Sequence, residues 1–162
     1  MLANVPGDSE EDRRARRLQV GMMIEVPAAA LLADRFAPLV DFFSIGTNDL
    51  AQYTLAADRI NSAVASLASP LDPAVLRLMS MTCEAGRAAG IPVSICGEMA
   101  ADPSIFPLLY GLGVTEVSVV APAVALVKEA VRQTDGETAR RLAAAALQTS
   151  RAQDVHLLLH PE

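Results

Sequence analysis

Short apolar runs alternate along this chain with longer segments whose apolar residues recur at helical spacing. The runs are bounded by Gly, Pro, Asn or Asp, a pattern that is typical of buried strands. We predict strands over 19–25, 41–45, 93–96 and 116–120. We predict helices over 27–36, 72–89, 102–110, 122–132 and 136–148.

Residues that favour the ends of helices support these boundaries. Pro27 suits the first turn of a helix, and Gly90 suits the position just after one. The string Gly46-Thr-Asn-Asp49 is rich in turn-forming residues, so we expect a loop after the second strand.

Four strand–helix units in succession predict an α/β fold with a parallel sheet, because apolar strands of this kind are buried on both faces. Two architectures fit the pattern: an open doubly wound sheet and part of a (β/α)8 TIM barrel. A complete barrel needs about 250 residues. Four units therefore amount to half of a barrel.

The composition excludes several classes of protein. The chain has 162 residues, 52% of them hydrophobic, which is enough for one domain with a sizeable core. Its net charge of −6 offers no basic surface for nucleic acid. The mean hydropathy of +0.32 is high, but polar residues or proline interrupt each apolar stretch before the about 18 residues of a membrane span. Without a signal peptide either, we expect a cytoplasmic protein that binds neither nucleic acid nor membrane.

Polar side chains follow the predicted strands at the points where the strands end. Glu25 ends the first strand, Asn48 and Asp49 follow the second, and Cys96 ends the third. Because the carboxyl ends of parallel strands meet at one edge of the sheet, we expect these residues to lie close together. Carboxylate and amide oxygens suit Mg²⁺. Each residue also has a structural alternative. Glu25, Asn48 and Asp49 could cap helices or form turns, and Cys96 could be a small buried residue.

Four strings of residues resemble sequence motifs of the phosphoenolpyruvate-utilising enzymes, and they occur in the same order along the chain. They are Met23-Ile-Glu25-Val-Pro27, Phe42-Phe-Ser-Ile-Gly-Thr-Asn-Asp-Leu50, Ile95-Cys-Gly-Glu-Met99 and Gly111-Leu-Gly-Val-Thr-Glu-Val-Ser118. The segment Gln52-Tyr-Thr-Leu-Ala-Ala-Asp-Arg59 is similar to the signature of the enzyme I family, which starts the bacterial sugar phosphotransferase system. Pyruvate phosphate dikinase and phosphoenolpyruvate synthase differ from the chain in this segment. The chain is therefore identified as a member of the enzyme I family.

The resemblance implies a domain organisation. Residues 19–150 would be the C-terminal half of the family's phosphoenolpyruvate (PEP)-binding TIM barrel, about four βα units with a C-terminal helix. Residues 1–18 would be a linker and the remnant of a preceding helix, and 151–162 a flexible tail.

The resemblance also implies a metal site and a substrate site. In the enzyme I family the glutamate and aspartate of these strings bind Mg²⁺, which maps onto Glu25 and Asp49. The neighbouring asparagine and the arginine of the signature contact PEP, which implies substrate binding by Asn48, Asp49 and Arg59. A guanidinium suits this role because it pairs in a bidentate manner with phosphate or carboxylate. The alternative for Arg59 is a surface ion pair with Asp58 or Asp49.

The family's cysteine is the proton donor that converts the enolate of pyruvate to the keto form, and this catalytic role maps onto Cys96. A thiol can serve as such an acid because it is mostly protonated at neutral pH. We interpret the other cysteine, Cys83, as core packing. No role is assigned to Gln52 or Glu98.

The family's phosphorylated histidine lies on a separate N-terminal domain. We therefore do not expect His156 or His160 to accept the phosphoryl group. Further arginines that hold PEP come from the other half of the family's barrel, so we expect this portion to be inactive alone.

The implied partners are PEP and pyruvate, the histidine phosphocarrier protein through the missing domains, and a second copy of the chain. A half barrel would leave two open sheet edges, which favour pairing, and enzyme I dimerises through this domain. Two alternatives stay open. The chain could be a relative of pyruvate phosphate dikinase or PEP synthase, or a non-catalytic dimerisation fragment.

Overall fold

A four-stranded parallel sheet organises residues 18–161, the part of the chain that the computed structural model describes. The strands are β1 (Gly21–Ile24), β2 (Phe42–Gly46), β3 (Val93–Cys96) and β4 (Glu116–Val117). They lie side by side in chain order, and within these residues the order never reverses. The predicted α/β fold with a parallel sheet is confirmed.

The two faces of the sheet differ in their surroundings. On one face Ile24, Ile45 and Ile95 pair in register across three strands and are fully buried in the core. Alternate residues point to the opposite face, where Met23 is 47% exposed and Ser44 is half-buried. The sheet therefore separates an apolar core from a more polar and more accessible face.

Helices or turns follow the strands and supply the rest of the core. The helices are α1 (Pro27–Leu31), α2 (Ala33–Phe36), α3 (Thr47–Leu55), α4 (Pro73–Ala89), α5 (Phe106–Leu112), α6 (Val124–Gln133), α7 (Gly136–Gln148) and α8 (Ala152–Leu159). Short 3₁₀ turns lie at Ala37–Leu39, Ala65–Leu67, Glu98–Ala101 and Ala121–Ala123. None of the helices in the described part of the chain has the length and apolar character that crossing a membrane requires.

Helix α4 forms where the sequence predicts a helix. At its start the Asp72 carboxylate accepts a hydrogen bond of 2.8 Å from the N–H of Ala74. At its end Gly90 adopts the left-handed conformation, with a φ of 71°. Cys83 on this helix is 3% exposed, and burial, with a smaller contribution from Glu84, raises the pKa of its thiol to about 12. Its interpretation as a core residue is confirmed.

The string Gly46-Thr-Asn-Asp49 does not form the expected loop. Helix α3 begins at Thr47, directly after β2, and Asp49 lies in its first turn. Asn and Asp favour the starts of helices as well as turns, and a carboxylate in the first turn interacts well with the helix dipole. The difference matters because it brings Asn48 and Asp49 to the end of the strand on a rigid element.

Other boundaries differ by a few residues. The segment 27–36 forms two short helices that meet at Leu32, and the helix predicted over 102–110 begins only at Phe106. Strand β4 has two residues rather than five, although the N–H of Ser118 still donates to the carbonyl of Ile95 at 2.9 Å.

The C-terminal segment differs from the predicted flexible tail. Residues 152–159 form α8, and Val155 is fully buried in the core. Sequence patterns do not predict this helix, because it is short and no side chain caps its start. Most of the predicted linker over 1–18 lies outside the described residues.

Replacing Val155 with alanine is expected to lower the free energy of unfolding by about 2 kcal/mol. Two buried methyl-sized groups are lost at about 0.8 kcal/mol each, and a small cavity adds to the cost. Leu157→Ala on the same helix is the control, since this side chain is 58% exposed and we expect an effect within about 0.5 kcal/mol. Urea denaturation measures both, and equal stabilities would contradict the docking of α8.

Candidate functional site

Glu25 and Cys96 flank Gly46 at the carboxyl ends of the first three strands. Gly46 pairs with Cys96, and the pairing of Ile24 with Ile45 puts Glu25 beside Gly46 on the other side. A Cβ atom added to Gly46 would lie 3.1 Å from the Cβ and 3.3 Å from Oε2 of Glu25. The missing side chain of Gly46 therefore leaves room for the Glu25 carboxylate over the end of β2.

Helix α3 contributes the next two groups from its first turn. Asn48 and Asp49 are both half-buried, and the Asn48 Oδ1 atom would lie 3.4 Å from a Cβ added to Gly97. The first N–H groups of a helix have no partner within the helix, and the helix dipole makes this end positive. The start of α3 therefore offers an anion both hydrogen-bond donors and favourable charge.

Arg59 reaches the same place from the loop after α3. Its Nη2 atom lies 3.6 Å from Oδ1 of Asp49, and the two side chains are 46% and 39% exposed. This is one of the two ion pairs that the sequence leaves open as the alternative role of Arg59. An ion pair this exposed contributes about 0–1 kcal/mol, so the guanidinium stays available to an anionic ligand.

Three neighbours hold Cys96. Its thiol donates to the carbonyl oxygen of Ile45 at 3.4 Å, and the hydroxyl of Ser44 donates to the sulfur at 3.7 Å. The buried hydroxyl of Thr47 donates to the main-chain carbonyl of Cys96 at 3.1 Å. The thiol is thus half-buried and oriented by β2, with its sulfur on the more polar face of the sheet.

These groups share one cavity. A space of about 160 Å³ is lined by the five residues predicted from the sequence: Glu25, Asn48, Asp49, Arg59 and Cys96. Met23, Thr47 and two glycines complete its lining. A wider groove of about 480 Å³ adjoins it and shares Asn48 and Arg59 with it. The structure therefore brings all five residues together.

Glu25 and Asp49 are the residues that could hold a metal ion. In the described part of the chain no group of three or more His, Cys, Asp and Glu side chains is placed to hold a metal ion. Two carboxylates lining one cavity fit Mg²⁺, which usually takes one or two protein carboxylates and completes its coordination with water and substrate oxygens. The room above Gly46 next to Oε2 of Glu25 is consistent with that fit.

The structure adds residues that the sequence did not assign. Thr47 fixes the carbonyl of Cys96, the side chain of Gln52 accepts from the N–H of Arg59 at 3.2 Å, and Glu98 lines the wider groove. Each belongs to one of the quoted strings, but its contact depends on strand pairing or on a turn. His156 and His160 lie at the end of α8, with ring centroids 4.7 Å apart, and neither lines the two spaces described above.

Replacing Gly97 with alanine is expected to cost about 1–3 kcal/mol of stability, since its φ of 117° strains any residue with a side chain. An added Cβ would also overlap the Thr47 hydroxyl that holds Cys96. Gly90→Ala is the control, because Gly90 also has a positive φ, of 71°, but no described atom lies within 4 Å of an added Cβ. Thermal denaturation should rank Gly97→Ala below Gly90→Ala, and the opposite order would contradict this contact.

Comparison with known proteins identifies the family. Residues 6–136 match the family model described as PEP-utilising enzyme, PEP-binding domain. A phosphoenolpyruvate-protein phosphotransferase of Bacillus sp. (strain S) is 48% identical over 85% of this chain and 24% of that protein. Proteins of the same name from Listeria monocytogenes and Haloferax volcanii are each 47% identical, over 85% and 96% of this chain.

The chain spans about a quarter of the length of these curated relatives, with 24% to 28% of each covered. The family match, in contrast, covers most of the chain and includes the whole cavity described above. The chain belongs to the phosphoenolpyruvate-utilising enzymes, in the part that forms their PEP-binding domain.

Proposed function

We propose that this chain is the PEP-binding catalytic portion of a phosphoenolpyruvate–protein phosphotransferase. The observation that carries the proposal is the convergence of two carboxylates, an amide, a guanidinium and a thiol on one cavity at the carboxyl ends of parallel strands. PEP is an anion with a phosphate and a carboxylate, and its conversion to pyruvate requires a proton at carbon 3. The cavity offers groups for both needs.

The sheet is best explained as the second half of a TIM barrel. Sequential order of parallel strands is what a barrel requires, whereas doubly wound sheets reverse their order. The apolar face with Ile24, Ile45 and Ile95 would face the outer helices, and the face with Met23 and Ser44 would line the barrel interior. The cavity would then lie at the carboxyl end of the barrel, where active sites of this fold occur.

Binding of PEP would use Asn48, Arg59 and the start of α3. The guanidinium can donate two parallel hydrogen bonds to the phosphate or carboxylate, and the amide and main-chain N–H groups add donors. Glu25 and Asp49 would hold Mg²⁺, which when bound supplies positive charge that neutralises the oxygens of the substrate. Phosphoryl transfer depends mainly on such positioning and charge neutralisation.

Cys96 would deliver the proton. When the enolate of pyruvate is released, the S–H bond of Cys96 breaks, a C–H bond forms at carbon 3, and a thiolate is left that regains its proton from solvent. The Ser44 hydroxyl already donates to this sulfur at 3.7 Å and would stabilise the thiolate. The hydrogen bond from the Thr47 hydroxyl to the main-chain carbonyl of Cys96 does not involve the thiol proton, so it would keep the residue in place during this step.

The phosphoryl group would pass to a histidine on a separate domain and then to the histidine phosphocarrier protein, for sugar uptake or its regulation. The names of the relatives support a phosphotransferase rather than a dikinase or synthase, as does the segment from Gln52 to Arg59. We place this chemistry in the cytoplasm.

A half barrel needs a partner for its open edges. Within residues 18–161 the outer edges of β1 and β4 have no neighbouring strand, and unpaired edges favour association. We propose that the missing strands come from the rest of a longer protein and that the complete protein is a homodimer. Size-exclusion chromatography with light scattering on the complete protein tests this, and a monomer at all concentrations would exclude the dimer.

Protection of Cys96 from alkylation tests the proposed site. Iodoacetamide should modify Cys96 more slowly when PEP and Mg²⁺ are both present than with either alone, because the bound ligand would cover the thiol. Cys83 is an internal control, since it is buried and its pKa of about 12 keeps it protonated. An unchanged rate of Cys96 modification at millimolar ligand, measured by mass spectrometry on folded protein, would count against the proposal.

A further inference from the structure

Gln52 contacts Arg59 from the same face of α3 that carries Asp49. Residues three apart on a helix are neighbours on its surface, as Asp49 and Gln52 are. The N–H of Arg59 donates to Oε1 of Gln52 at 3.2 Å, while the guanidinium Nη2 lies 3.6 Å from Oδ1 of Asp49. Helix α3 therefore holds Arg59 at two points, its main chain and the end of its side chain.

Gln52 also fixes the turn that leads to Arg59. Its main-chain carbonyl accepts hydrogen bonds from the N–H groups of Ala56 and Ala57, the latter at 3.2 Å. Ala56 has a φ of 51°, a left-handed conformation that is uncommon for alanine. The main-chain carbonyl of Gln52 therefore fixes the end of α3, and its side-chain carbonyl fixes the main chain of Arg59 in the loop that follows.

The ion pair alone does not hold this loop. The side chains of Arg59 and Asp49 are 46% and 39% exposed, and ordering two exposed side chains offsets much of their attraction. The hydrogen bond from the Arg59 N–H to Gln52 is also exposed, but it restricts the main chain of Arg59, so the side chain extends towards the cavity from a defined position. Gln52 itself lines neither of the two spaces that Arg59 lines.

We propose that Gln52 is a positioning residue for PEP binding. Its side-chain carbonyl fixes the main chain of Arg59, and this keeps the guanidinium beside Asp49 at the edge of the cavity. Gln52 acts through Arg59 and does not touch the substrate. The proposal deepens the function proposed above and rests on it.

Replacing Gln52 with methionine tests this role, because methionine keeps the length of the side chain and removes the acceptor. Loss of one hydrogen bond should speed solvent exchange of the Arg59 amide by about three- to tenfold and weaken PEP binding in Mg²⁺ by a similar factor. Gln52→Glu keeps an acceptor and should retain the protection of the amide. Gln133→Met, at the exposed end of α6, is the control for the same substitution and should change neither quantity.

An Arg59→Ala background separates positioning from a general structural effect. If Gln52 acts through Arg59, adding Gln52→Met to Arg59→Ala weakens PEP binding no further. An additional loss in the double variant, or wild-type PEP affinity in Gln52→Met, would overturn the proposal. NMR measures the solvent exchange of the Arg59 amide, and an unchanged exchange rate in Gln52→Met would also overturn the proposal. If exchange of the Arg59 amide rises in Gln52→Met but the wild type does not bind PEP, the proposed function is wrong. The hydrogen bond by which Gln52 positions Arg59 would still be supported.

Discussion

Asp49→Ala is expected to abolish Mg²⁺-dependent binding of PEP. Loss of a residue that only supports a metal ligand costs about 10- to 100-fold in metal affinity, so loss of a direct ligand should cost at least about 100-fold. The substitution leaves Glu25 as the remaining carboxylate of the cavity and releases Arg59 from its ion pair. Magnesium titrations at fixed PEP measure the change.

A matched aspartate controls for the loss of charge. Asp34 is exposed on α2, pairs only with the adjacent Arg35 among the ion pairs described, and does not line the cavity. Asp34→Ala should bind PEP and Mg²⁺ as the wild type does. Metal-dependent binding that survives in Asp49→Ala would exclude Asp49 as a ligand and remove the main argument for a magnesium site.

Cys96→Ala is expected to slow proton transfer at carbon 3 of pyruvate by about 100- to 10,000-fold, the contribution that general acid–base catalysis typically makes. The proton donor of the forward step is the base of the reverse step, so the variant should also fail to exchange the methyl protons of pyruvate with D₂O. NMR of the pyruvate methyl group in the presence of Mg²⁺ and the complete protein follows this exchange.

PEP binding separates the role of Cys96 in chemistry from a role in structure. Cys96→Ala should bind PEP with nearly unchanged affinity, because the thiol is not among the groups proposed to hold the anion. Cys83→Ala is the control, since that residue packs in the core on α4, and it should keep the exchange rate. Wild-type exchange in Cys96→Ala would mean that another group donates the proton.

Positions at the ends of strands could be predicted because they depend on local pattern. Glu25 and Cys96 follow apolar runs that any parallel sheet would bury, and in-register pairing then puts them on either side of Gly46. The parallel type of sheet and the core position of Cys83 follow from the same periodicity, whereas the strand order does not, because a doubly wound sheet and a barrel both fit the pattern. For these features, tertiary contacts reinforce the secondary structure and burial that the local sequence already favours.

Other features depend on contacts that local pattern does not contain. The hydrogen bond from Thr47 to Cys96 joins residues 49 positions apart and exists only because β2 pairs with β3. The local pattern predicts a loop where α3 begins, because Asn and Asp favour both turns and the starts of helices. The docking of α8 depends on one buried valine, Val155, in a segment with weak signals of its own.

Isothermal titration of the folded chain with PEP, with and without Mg²⁺, tests the central claim most directly. We expect weak binding that requires Mg²⁺ and disappears in Asp49→Ala, since the cavity has two carboxylates, Asn48 and Arg59, while the other half of the proposed barrel is not in this chain. No metal-dependent heat at millimolar PEP, from a chain whose circular dichroism shows that it is folded, would contradict the claim that this cavity is a magnesium–PEP site.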